Sequence, residues 1–121
     1  MLKILIVSDS FKVYPIIHEI EALGHEVILL NDIDLLRETL LKNNIDVVLI
    51  DYEKTFKLST DDVFEFRYFL QSPNETPIYI LVEDINSKTV NLKPGYSGTF
   101  PYTHSVNMLN EFISNLHTMR I

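Results

Sequence analysis

The sequence predicts a doubly wound α/β domain in which five strands alternate with five helices. Two observations carry that reading. The candidate strands at residues 4–7, 47–50 and 78–82 are apolar without interruption, the pattern of parallel strands covered on both faces. Between the strands lie segments with apolar residues at helical spacing, such as Val13, Ile16, Ile17, Ile20 and Leu23, so strand and helix alternate along the chain. A length of 121 residues suits one domain, 1–121, with a core of its own and not two.

Each element follows in order. Residues 4–7 form a buried first strand. The first helix buries the stripe just named, and Gly24 suits its stop. Pro15 lacks a backbone N–H and belongs in a first turn, so this helix starts late, at residues 12–14. Residues 27–30 make the second strand. Asp34 caps a second helix that turns Leu36 and Leu40 inward, and Asn43-Asn44 end it. Residues 47–50 are the third strand. Asp61 or Asp62 caps a third helix with Val63, Phe66 and Leu70 on its inner stripe. Pro77 opens the fourth strand, 78–82. The polar segment 87–92 allows at most a short helix. The fifth strand falls within 96–100, and Ser105 caps a last helix with Leu109, Phe112, Ile113 and Leu116 at core spacing.

Composition narrows the function classes. An apolar content of 46% marks a globular chain. The net charge of −7 argues against binding to nucleic acid or anionic membrane, which needs surplus Lys and Arg. No Cys is present, which removes disulfide and thiolate chemistry. The N-terminal apolar run is too short for a signal peptide, and no segment approaches the ~20 apolar residues of a membrane span. The expected location is cytoplasmic, where the sequon at Asn74 is a chance match. The four His residues, 18, 25, 104 and 117, show no metal-ligand spacing. "SDSFK" after the first strand lacks the Gly-rich turn of a phosphate cradle, so neither nucleotide nor flavin is expected. No nucleophile elbow is visible.

In doubly wound sheets, chemistry gathers at the carboxyl ends of the strands. Here those ends are acidic: Ser8-Asp9-Ser10, Asp51-Tyr52-Glu53 and Val82-Glu83-Asp84. Strands one, three and four are neighbours in such a fold. Asp9 and Asp51 are therefore expected across a crevice, with Glu53 and Glu83 at its rim. Hard oxygen ligands of this kind suit a weak Mg²⁺ site. The alternative is that these acids are solvated strand ends kept apart by loops.

The order of elements and three segments, "ILIVSDS", "IDVVLIDYE" and "GTFPY", resemble the receiver domain of bacterial response regulators over the whole chain. The resemblance implies a flavodoxin-like, CheY-like sandwich with sheet order 2-1-3-4-5. It also implies a phosphoacceptor Asp served by a histidine kinase and Mg²⁺, and a switch made by a Thr/Ser and an aromatic residue. Asp51 falls on the phosphoacceptor and Asp9 on the main metal-binding acid. Glu53 falls where a backbone carbonyl helps hold the metal. Ser8 stands where a second acid is usual, Val82 where the switch hydroxyl is expected, and Glu83 where a small residue is. Ser97 falls near the switch aromatic. Phe100, before Pro101, replaces a Lys that usually precedes a cis peptide.

These departures imply a degenerate receiver. A hydrogen bond to a charged group contributes about 1.5–3 kcal/mol, so losing the hydroxyl and the ammonium removes roughly 3–6 kcal/mol from a phosphorylated state. Driving a two-state switch takes about 5.5 kcal/mol. Lys54, Lys57 or Lys93 offers a replacement cation from a loop. The expected role is not enzymatic: a signalling domain acting through protein contacts, with a histidine kinase, a downstream signalling protein or a second copy as partner. Phe64 and Tyr68, and Tyr96 and Tyr102 flanking the fifth strand, are the candidate partner surfaces. The competing readings are a working phosphoacceptor at Asp51 with an unusual switch, and a small metal-dependent phosphatase, which lacks the cationic clamp of phosphoryl transfer. With no output domain after Ile121, the expectation is a stand-alone signalling protein or one domain of a longer chain.

Overall fold

The computed structural model describes residues 1–55, 76–83 and 97–119. Its elements are β1 (Lys3–Val7), α1 (Tyr14–Ala22), β2 (Glu26–Leu30), α2 (Leu36–Lys42), β3 (Val47–Asp51), α3 (Tyr52–Thr55), β4 (Ile78–Val82), β5 (Gly98–Pro101) and α4 (Val106–Met119). All strand pairs are parallel, in the order β2-β1-β3-β4-β5. The register sets Val7 beside Ile50, Asp51 beside Leu81 and Val82 beside Pro101. The exits of β1, β3 and β4 are thereby brought together, as the sequence predicts.

Successive side chains of a strand point to opposite faces, and β1 divides the core that way. Ile4 and Ile6 pack with Ile16 and Ile20 of α1 and with Leu109 and Ile113 of α4. Leu5 and Val7 pack on the other face with Leu36 and Leu40 of α2. Each fully buried aliphatic side chain contributes about 1.5–3 kcal/mol, so the unbroken apolar strands are the main reason the sheet is covered on both sides.

Local signals explain the element ends. A 3-10 turn at Phe11–Val13 precedes α1, and Ser10 Oγ accepts a hydrogen bond from Lys12 N. Pro15 occupies the first turn of α1, and Gly24 follows the helix at φ 90°, a left-handed conformation that glycine adopts without strain. Ser105 Oγ accepts from Met108 N at 3.1 Å and caps α4.

Three expectations are corrected. Asp32, not Asp34, is the cap before α2: its Oδ1 accepts from Asp34 N at 3.0 Å. A cap residue needs extended backbone, which Asp32 has at φ −126° and ψ 116°, whereas Asp34 already lies within a 3-10 turn. Strand β5 runs on through Pro101, one residue beyond the predicted end, and Ser97 lies before it. Helix α3 begins directly after Asp51, at Tyr52, where the sequence predicts no helix before residue 61. The predicted third helix and the segment at 87–92 lie outside the described residues, as do Phe64, Tyr68 and Tyr96. Among the described residues, no helix is long and apolar enough to cross a membrane.

Candidate functional site

Asp51 is the last residue of β3 and only 6% exposed. A carboxylate taken so far from water must find donors, and the neighbouring strand exits supply them. Ser8, just past β1, donates from Oγ to Asp51 Oδ2 at 2.8 Å. Tyr102, just past β5, donates its phenol to the same oxygen. Glu53 N donates to Oδ1 at 3.0 Å. Ser8 Oγ in turn accepts from Ser10 N at 3.0 Å, which fixes the hydroxyl's direction. Burial, and next the hydrogen bond to Asp51, push the Tyr102 phenol well above the usual phenol range.

Two ion pairs flank this centre. Lys54 of α3 reaches back to Asp9, with Nζ 3.0 Å from Oδ2. Lys12 pairs with Glu83 and lies 6.0 Å from the centre of the Tyr102 ring, at the outer limit of cation–π attraction. A cavity of about 260 Å³ opens between these groups, lined by Ser10, Lys12, Asp51, Glu53, Val82, Glu83 and Tyr102 among others. Among the described residues, no three His, Cys, Asp or Glu side chains come together as a metal-holding group.

Solved signalling domains share this fold. A response regulator from Thermotoga maritima superposes with a TM-score of 0.74 at 16% identity, covering 96% of this chain and 97% of its own. Chemotaxis protein CheY4 of Vibrio cholerae gives 0.68 at 19% identity, covering 96% and 98%. The receiver domain of a sensor histidine kinase from Pseudomonas aeruginosa, crystallised with a magnesium ion coordinated in its active-site cleft, gives 0.66 at 18% identity, covering 95% and 96%. The fold is that of a response-regulator receiver domain. No protein-family model and no curated protein sequence matches the chain.

Within this receiver fold, the predicted site residues separate into two groups. Asp51, Glu53, Val82 and Glu83 meet around the cavity. Val82 is buried and presents only apolar surface there, as its side chain dictates. Asp9 lies more to the side, held by Lys54. Phe100 does not enter the pocket: it is 3% exposed and packs in the core, 4.5 Å from the Phe112 ring and 5.0 Å from His104. Ser97 is at the other end of β4, where its N donates to Ile78 O at 2.8 Å and its Oγ accepts from Ile78 N. No cis peptide occurs among the described residues, so the bond before Pro101 is trans.

Tyr102, expected beside β5 as part of a partner surface, has a second place that the sequence does not announce: its hydroxyl reaches the buried carboxylate. Ser8, read as a missing acid, is a donor to Asp51. The available signal was the position of each: one residue beyond a strand whose neighbour ends in Asp51.

Proposed function

We propose that this chain is a two-component receiver-like domain that acts through protein contacts and not through a full phosphorylation switch at Asp51. The receiver fold and the acidic strand end support the signalling class. The observation that carries the finer reading is the pair of hydroxyls, Ser8 and Tyr102, donating to one oxygen of Asp51, with Glu53 N on the other.

A carboxylate attacks a phosphoryl donor through a lone pair. Withdrawing two hydroxyls from a charged acceptor costs about 3–6 kcal/mol, comparable to the roughly 5.5 kcal/mol that drives a two-state switch. Val82 has no hydroxyl to offer a phosphoryl group in return, and Glu83 keeps a negative charge at the mouth. Contacts with a histidine kinase, another signalling protein or a second copy then carry the output, in the cytoplasm and without turnover of a substrate.

The test is incubation with acetyl phosphate and Mg²⁺ followed by intact-mass measurement. The expected result is an unmodified protein with an unchanged amide NMR spectrum. A stoichiometric phosphoryl adduct, absent from Asp51→Asn and accompanied by a structural shift, establishes the working-receiver reading instead.

A further inference from the structure

The receiver fold implies a divalent cation beside Asp9 and Asp51, and the residues present do not fit one. Mg²⁺ requires near-octahedral oxygen acceptors at about 2.0–2.1 Å and gives up its water reluctantly. Around Asp51 the neighbours turn donors inward: the Ser8 hydroxyl, the Tyr102 phenol and the Glu53 N–H. Ser8 also removes one of the acids on which such a site depends. The remaining acid, Asp9, has the Lys54 ammonium at 3.0 Å.

We infer that Lys54 is the resident cation of this site, balancing Asp9 in place of a divalent metal ion. The burial of the pair gives it a direction. The Lys54 side chain is 13% exposed and the Asp9 side chain 62%. A largely desolvated ammonium needs a paired carboxylate far more than an exposed carboxylate needs an ammonium. The position is also fixed by the chain: Lys54 lies in α3, three residues after Asp51, so the helix that leaves the β3 exit swings the amine back across the crevice towards β1. A metal bound to Asp9 would have to displace this amine into water or share an oxygen with it against like-charge repulsion. Two charges of opposite sign are thus satisfied within the protein, and the pocket needs no metal to keep Asp9 beside its strand.

The inference rests on the receiver-like reading only in taking this crevice as the place where a metal is expected. It does not depend on whether Asp51 is phosphorylated, so metal titration and acetyl phosphate labelling fail separately. The experiment is titration with Mn²⁺ as a paramagnetic probe, read by the loss of its free electron-spin-resonance signal. Wild type and Lys54→Arg are expected to show no saturable binding at millimolar metal. Lys54→Met, which keeps the apolar stem and removes the charge, is expected to bind at least about tenfold more tightly. Lys42→Met, removing the surface lysine paired with Glu38, controls for overall charge, and circular dichroism checks that each variant folds. Saturable binding by wild type equal to that of Lys54→Met overturns the inference. So does an absence of gain in folded Lys54→Met, or an equal gain in Lys42→Met.

Discussion

The phenol of Tyr102 titrates in a window that can be watched directly. Its folded-state pKa is raised, first by burial and then by the Asp51 hydrogen bond. Tyr79 is raised as well, by burial. A group whose folded pKa exceeds its unfolded value, about 10 for tyrosine, contributes stability that is fully present below that value and lost as pH rises through the folded one. Phenolate absorbance followed upward through this range is therefore expected to show Tyr79 and Tyr102 ionising later in the native protein than in urea. Tyr102→Phe removes one late-ionising phenol. If every tyrosine titrates at its ordinary value in the native protein, the Tyr102–Asp51 contact is absent in solution. At this scale the sequence made Asp51 legible, because four apolar residues lead straight into a carboxylate. Tyr102 was not legible. The direction in which a side chain leaves the residue after a strand depends on the path of the following loop, and alternation no longer sets it.

Strand β5 shows how an aligned position differs from a placed side chain. Phe100 matches a lysine position by its place before Pro101, but its ring belongs to the core beside Phe112. Phe100→Lys is accordingly expected not to restore a phosphoryl-binding ammonium. It should lower stability by about 3–5 kcal/mol, the scale of emptying a buried phenylalanine site, as measured by urea unfolding, with no gain in acetyl phosphate labelling. A variant that keeps wild-type stability and gains labelling reverses this assignment. The elements themselves were readable wherever apolar runs were long and unbroken, as in β1, β3 and β4. Their ends were less so. Asp32 and Asp34 are equally good capping residue types, and only the backbone at 32 decides between them. Helix α3 starts at Tyr52, directly after Asp51, with no turn residue between strand and helix to announce it.

That the sheet is parallel was legible in the sequence, because strands apolar on both faces are covered on both sides; its order was implied only by the resemblance to receiver domains. A link across the whole molecule was not legible. His104 is buried at 3% side-chain exposure, with Nε2 2.6 Å from Glu19 Oε2 and Nδ1 3.2 Å from Pro101 O. It ties α1, near the start of the chain, to the connection between β5 and α4. Histidine and glutamate 85 residues apart carry no sequence signal for one another, so the pairing is visible only in the folded chain. His104→Ala is expected to cost about 0.5–1.5 kcal/mol, the net contribution of one intramolecular hydrogen bond, because the Glu19 side chain it leaves behind is 40% exposed and regains water. Urea unfolding measures it, and an unchanged midpoint would show that the link contributes nothing to the fold.

Pro101 bears on how this molecule meets others. Strand β5 is an outermost strand of the sheet. Tyr102 N donates inward to Val82 O, and backbone donors alternate sides along a strand, so the ring nitrogen of Pro101 lies on the side away from β4. A proline there has no hydrogen to give. A strand laid alongside β5 would meet a gap in the donor row, on a template only four residues long. That margin is blunted against edge-to-edge growth, and a neighbour approaching from that direction must be recognised by side chains, not by extension of the sheet.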